Sequence, residues 1–263
     1  SVSVSKLFIG GIIPGLLMAA TMMVLCAIIS SIRNYPRGEK FNPGKLLVSG
    51  RNAFFALLTP LIIIGGIWTG VFTPTEAAAV AVMYSLLLGI FYGELTWKAF
   101  IRDLKESAVT SSAIMFILAA AAIYNAALSR TQMPDMVISA ISVISENPFV
   151  IILILQLLIF IAGCFMSTAA TISLFTPLLM PLLDKFGIDP LHFGVVMVLN
   201  LMLGQLTPPF GIVLFVLTKI SGVDMGRLVR ASLPFYIPIL IVLILLIIYP
   251  PLVTFLPNTV LGK

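Results

Sequence analysis

Apolar residues run through this chain in long blocks, and the few charges fall between the blocks. Seven long stretches carry no Asp, Glu, Lys or Arg: Leu7–Ile32, Asn52–Thr75, Ala77–Gly93, Ser107–Ser129, Asn147–Leu183, Pro190–Thr218 and Ala231–Gly262. A helix needs about 20 apolar residues to cross the hydrocarbon of a bilayer. Charges at the bilayer centre are costly, so these stretches are the membrane-embedded parts. Membrane barrels show short segments of alternating polarity instead, and that alternation is absent here. The pattern predicts an all-α polytopic membrane protein.

Two stretches have lengths that single helices do not explain. Asn147–Leu183 has 37 residues, about 55 Å as one helix. That is too long for one crossing and tight for two crossings plus a turn. Its middle, Gly163-Cys164-Phe165-Met166-Ser167-Thr168-Ala169-Ala170-Thr171, is small and polar without charge. A re-entrant helical hairpin with a buried tip accounts for this, because irregular backbone at that depth is tolerated only inside protein or beside a water-filled cavity. The alternative is a pair of tilted helices with an uncharged turn. Pro190–Thr218 contains Gly204-Gln205-Leu206-Thr207-Pro208-Pro209-Phe210-Gly211. Proline lacks an N–H and clashes with the carbonyl four residues earlier, so Pro208 frees the Gly204 carbonyl and Pro209 that of Gln205. A broken helix is predicted, with Thr207 capping its second half and Pro208 as that half's first residue. Free carbonyls on the first half suit a cation, and the dipole of the second suits an anion. A proline kink healed by water and hydroxyl side chains is the other reading.

Composition agrees with the pattern. The chain is 60% apolar and 10% charged, against roughly 45–50% and about 25% in soluble domains. That excludes a soluble globular enzyme and a disordered chain. The net charge of +5 sits in loops rather than on a patch, so nucleic acid is not an expected partner. Cys26 and Cys164 lie in apolar runs and make neither a disulfide framework nor a metal spacing.

The positions of Lys and Arg set the orientation. Arg33, Arg37, Lys40, Lys45 and Arg51 form one group, Lys98, Arg102 and Lys105 a second, and Lys219, Arg227 and Arg230 a third. These three loops are assigned to the cytoplasm. The segment from Glu94 to Glu106 mixes basic residues with Trp, Phe, Ile and Leu, and reads as a short amphipathic helix on the cytoplasmic interface.

Little in the sequence resembles catalytic chemistry. There is no Walker-type or dinucleotide-binding Gly-rich loop, and the single histidine, His192, is expected at the interface near Asp189. No enzyme activity is expected. Thr73-Pro74-Thr75-Glu76 has the form of a capping box, and Glu76 is alternatively an ionisable group in a conduit. The remaining candidates are neutral: Ser167, Thr168, Thr171, Asn200, Gln205 and Thr207. Neutral oxygens and freed carbonyls can replace the hydration shell of a monovalent cation, which favours sodium over protons.

Several motifs together resemble a known family. Leu7-Phe8-Ile9-Gly10-Gly11-Ile12-Ile13-Pro14-Gly15-Leu16, Phe72-Thr73-Pro74-Thr75-Glu76-Ala77-Ala78-Ala79, Asp189-Pro190-Leu191-His192-Phe193-Gly194 and Leu206-Thr207-Pro208-Pro209-Phe210-Gly211 are similar to the large permease subunit of TRAP (tripartite ATP-independent periplasmic) transporters. The resemblance spans the whole chain but only about the second half of that subunit, so a first repeat is expected before Ser1.

The resemblance implies the second repeat of an inverted-repeat, elevator-type transporter with a re-entrant helical hairpin and a broken transmembrane helix. It implies a sodium-coupled importer in the bacterial inner membrane, with Na+ as the coupling ion and no organic cofactor. The substrate would be an organic acid anion, sialic acid or a C4-dicarboxylate. The implied partners are a small membrane subunit, a periplasmic solute-binding protein, the N-terminal half of the large subunit and the lipid bilayer. Residues 1–130 would be scaffold-like helices with an interfacial arm. Residues 131–220 would hold the transport elements, with the hairpin over 147–186 and the broken helix over 189–218, and residues 221–263 the last helix. The implied sodium site is Gly163, Gly204, Thr207, Pro209 and Phe210. Ser167, Thr168 and Asn200 would face the substrate. Many members carry an acidic residue at the tip, where this chain has Ser167. A channel-like or non-transporting subunit of a membrane complex is the other function class, although a pore would show charged rings or filter loops.

Overall fold

The computed structural model describes residues 2–35, 42–131 and 133–262. The expected cytoplasmic residues Arg37 and Lys40 lie outside them. Among the described residues there are twelve helices and no strand: α1 Val4–Gly10, α2 Ile12–Ile32, α3 Pro43–Trp68, α4 Pro74–Phe91, α5 Trp97–Arg130, α6 Met133–Ile144, α7 Pro148–Phe165, α8 Thr168–Lys185, α9 Pro190–Gln205, α10 Ile212–Ser221, α11 Met225–Ile248 and α12 Pro251–Leu261. Five runs are long and apolar enough to cross a membrane: Val4–Ile32, Pro74–Phe91, Trp97–Ala127, Pro148–Phe165 and Met225–Ile248. The segments Pro43–Arg51 and Ala53–Trp68 of α3, which meet at 66°, make a sixth if counted as one span. The chain is a polytopic helical membrane protein.

Local chemistry fixes several helix ends. Pro14 cannot donate to the Gly10 carbonyl, and the chain breaks between α1 and α2 at Gly11. Thr73 and Glu76 form the capping box at the start of α4: the Thr73 N–H donates to Glu76 Oε2 at 2.8 Å, and the Glu76 N–H donates to Thr73 Oγ1 at 3.3 Å. This is what the sequence pattern of Thr, Pro and Glu predicts.

Three expectations need correction. The segment beginning at Glu94 is not a separate interfacial helix, because α5 runs unbroken from Trp97 to Arg130. No Gly or Pro lies between those residues to end it. Its 34 residues reach about 51 Å, well beyond the hydrocarbon thickness. The second correction concerns basic residues placed in loops: Lys45 and Arg51 ride on α3, since Asn42 caps the helix and Pro43 opens it, Lys219 lies on α10, and Arg227 and Arg230 lie on α11. The third concerns His192, which is 2% exposed rather than interfacial.

Packing is uneven along the chain. Among the described residues, α2, α3, α4 and α5 have one buried residue each: Pro14, Ile67, Ala77 and Ala121. The core lies after residue 140. Ile151, Leu155 and Ile159 form one face of α7 and meet Val196 and Leu201 of α9, Leu182 of α8, and Val242 and Leu246 of α11. The spacing of four along α7 keeps those side chains on one stripe.

The hairpin arms α7 and α8 are joined only by Met166 and Ser167. Lys185, at the end of α8, donates to Ser142 Oγ at 3.1 Å, so α8 comes back to where α7 begins. Helices α7 and α9 run parallel: Gln156 pairs with Asn200, and Gly163, two turns further on, pairs with Gly204. The hairpin tip and the end of α9 therefore reach the same level.

The α9–α11 contact rests on a freed carbonyl. Leu246 lies four residues before Pro250, so its helical acceptor role has no donor. His192 Nε2 fills that place at 2.8 Å. An interhelical bond of this kind contributes about 1–2 kcal/mol. His192→Leu is predicted to lower the thermal unfolding midpoint of the purified protein in detergent by that amount of stability, and His192→Gln, which restores an N–H, to recover part of it.

Candidate functional site at the hairpin tip and helix break

The break after α9 is built from missing donors. The Gln205 carbonyl would ordinarily accept from residue 208 or 209, and both are proline. The Leu206 carbonyl accepts the Tyr236 hydroxyl of α11 instead. The Gly204 carbonyl is not left free as expected, because the Thr207 N–H donates to it at 3.0 Å in a tightened last turn. Nor does Thr207 cap the second half. Its hydroxyl donates back to the Leu203 carbonyl at 2.8 Å. The cap of α10 is Gly211, in the left-handed conformation at φ +46°, and α10 starts at Ile212. Six residues, Leu206 to Gly211, thus separate the halves. The peptide between Pro208 and Pro209 is cis.

The tip meets this break directly. The Gln205 side-chain amide donates to Thr168 Oγ1. The Phe165 and Phe210 rings lie 5.7 Å apart, tilted by 60°. Ser167 caps α8 by accepting from the Ala170 N–H, and its carbonyl accepts the Thr171 hydroxyl at 3.0 Å. A Cβ on Gly204 would stand 2.9 Å from the Gly163 carbonyl carbon and 3.2 Å from the Cys164 nitrogen. Two glycines therefore let α7 and α9 touch backbone to backbone, as small residues do at membrane helix crossings.

Among the sequence-predicted residues, Gly163, Gly204, Thr207, Pro209 and Phe210 lie in or beside this junction, as do Ser167 and Thr168. Asn200 sits deeper, 2% exposed in the α7–α9 seam, where its amide nitrogen donates to Gln156 Oε1 at 2.8 Å and to the Gln156 carbonyl. The stretches flanking the junction contain no charged side chain from Asn147 to Leu183 or from Pro190 to Thr218. Among the described residues no group of His, Cys, Asp and Glu could hold a metal. The available donors to a ligand are neutral oxygens.

The family model for the tripartite ATP-independent periplasmic transporter DctM component matches residues 1–252 of this chain. The chain belongs to that family. It is 40% identical over 261 residues to the sialic acid TRAP transporter large permease SiaM of Vibrio cholerae, covering 99% of this chain and 61% of that protein. It is 37% identical to the C4-dicarboxylate large permease DctM of Pseudomonas aeruginosa, covering 97% of this chain and 60% of that protein. The 2,3-diketo-L-gulonate large permease YiaN of Escherichia coli is 34% identical, covering 95% and 59%. The chain spans about three-fifths of the length of these TRAP large permeases.

Two residues of this TRAP junction were not singled out from the sequence. Tyr236 is the one tyrosine of α11 and half-buried, and a tyrosine hydroxyl withdrawn from water seeks a partner. Gln156 is the single polar side chain between Phe149 and Ala162, and an amide in an apolar interior must be paired. Both signals were present in the sequence. The Gly163–Gly204 contact generates a prediction: Gly204→Ala should force α7 from α9 and cost about 1–3 kcal/mol. Gly50→Ala, where an added Cβ meets nothing within 4 Å, should be neutral or stabilising. Thermal unfolding of both variants checks this.

Proposed function

We propose that this chain is part of the membrane subunit of a sodium-coupled secondary transporter that imports an organic acid anion. The meeting of the tip with the break carries the reading. There the Gln205 carbonyl is denied both helical donors, the Gln205 amide donates to Thr168 Oγ1, and Ser167 at the tip and Thr207 at the break bring further hydroxyl oxygens. A monovalent cation can be held by such neutral oxygens, and the absence of a carboxylate in the flanking stretches favours sodium over a proton relay. The start of α10 presents the positive end of a helix dipole, which suits an anionic substrate.

The relatives support the substrate class. SiaM, DctM and YiaN are named for sialic acid, C4-dicarboxylate and 2,3-diketo-L-gulonate. The proposed partners are a small membrane subunit, a periplasmic solute-binding protein and the portion of the large permease that these relatives carry beyond the matched region. The largely unburied helices α2, α3, α4 and α5 are available to subunits and lipid. The proposed location is the bacterial inner membrane. Transport would follow an elevator, the hairpin and broken helix moving together because the seam of Gly163–Gly204 and Gln156–Asn200 joins them.

The test is uptake of labelled sialate and succinate by the complete transporter in proteoliposomes. Uptake should need both an inward sodium gradient and the binding protein. Thr207→Ala should raise the half-saturating sodium concentration about tenfold, the equivalent of one lost ligand, while Thr207→Ser keeps it. Efficient uptake of free substrate without binding protein, or unchanged sodium dependence in Thr207→Ala, would overturn the reading.

A further inference from the structure

A cleft of about 400 Å³ opens between α1, α8 and α9, its apolar end one helical turn from Thr168 along α8. Its walls are apolar: Leu7 from α1, Ile172 and Leu179 from α8, Phe193 and Met197 from α9. At one end it runs into a second space of about 400 Å³. The two share Val2, Met180 and Pro190. This second space is half polar and carries Lys6, Asp184, Asp189 and Asn258.

The order of these residues along the helices gives the cleft a direction. The polar end lies where α8 finishes and α9 starts, beside Asp184 and Asp189. The apolar part follows α8 back to Ile172 and α9 forward to Val198, about 12–16 Å along the helix axes. Polarity therefore falls from the helix ends toward the middle of the helices. An amphiphile aligned with the bilayer has the same profile, with its head at the interface and its chain below.

The charges narrow the head. Lys6 donates to the Gly262 carbonyl at 2.9 Å, which uses one of the three hydrogens of its ammonium. The others are suited to a phosphate. Asp189 accepts from the Leu191 N–H at 2.8 Å through one oxygen, leaving the second. Asp184 is exposed on the rim. Two carboxylates opposite one ammonium match a head with one phosphate and one primary ammonium. A purely anionic head would meet two like charges.

We propose that this cleft is a phospholipid site, taking one acyl chain against α8 and α9 and a zwitterionic head with a primary ammonium against Lys6, Asp184 and Asp189. The proposal is independent of the sodium site. It places an ordered lipid on the outer side of the hairpin arm α8.

Native mass spectrometry of the full-length large permease tests it, after reconstitution in vesicles of equal phosphatidylethanolamine and phosphatidylglycerol and gentle delipidation. One phosphatidylethanolamine per subunit should be retained, about tenfold over phosphatidylglycerol. Asp184→Asn, at an exposed position that leaves packing intact, should remove most of that preference. Met180→Trp, which fills the neck shared by the two spaces, should expel the lipid. Equal retention of phosphatidylglycerol, retention of no lipid, or phosphatidylethanolamine retention unchanged in both variants would overturn the proposal.

Discussion

The structure depends on one constraint: backbone groups inside a membrane must find partners within the protein. Proline removes donors, and this chain has 17 prolines. Where a proline frees a carbonyl, a side chain from another helix takes it or the carbonyl stays open for something else. Pro250 frees Leu246, and His192 answers from α9. In the break, where the helix has ended, the Leu206 carbonyl likewise takes a side-chain donor, the Tyr236 hydroxyl of α11. The Gln205 carbonyl, facing prolines at both helical donor positions, has no helical answer. Two contacts of α9 and its end with α11 are thus carbonyls met by side chains.

The same constraint explains why the candidate site is neutral. A charge at this depth is costly, whereas a carbonyl already present costs nothing further to aim. The two glycines at the α7–α9 crossing bring the tip close enough for Gln205 to reach Thr168. A Cβ on Gly204 would meet the backbone of Gly163 and part the helices before any ligand could be shared.

Much of this was legible in the sequence, for identifiable reasons. Charge-free runs located the helices because the bilayer forbids charge. The capping box at Thr73 and Glu76 and the break around Pro208 and Pro209 followed from backbone chemistry alone. The detail of the break did not. Thr207 looked like a cap, but its hydroxyl folds back onto Leu203, and Gly211 takes the cap because only glycine enters the left-handed region there without strain. In α5 the polarity changes along one unbroken helix, because no Gly or Pro lies there to end it. His192 looked interfacial because its partner is a carbonyl 54 residues away, and no local pattern announces such a pairing.

On the proposed function, tip and break together offer a sodium-selective set of neutral oxygens. Sodium-dependent thermal stabilisation of the purified full-length permease tests it most directly, since a ligand bound to the native state raises stability with its concentration. NaCl should raise the unfolding midpoint in a saturable way, equimolar KCl should not, and Thr207→Ala should need about tenfold more NaCl for the same rise. Equal stabilisation by both salts, or an unchanged NaCl dependence in that variant, would contradict sodium binding there.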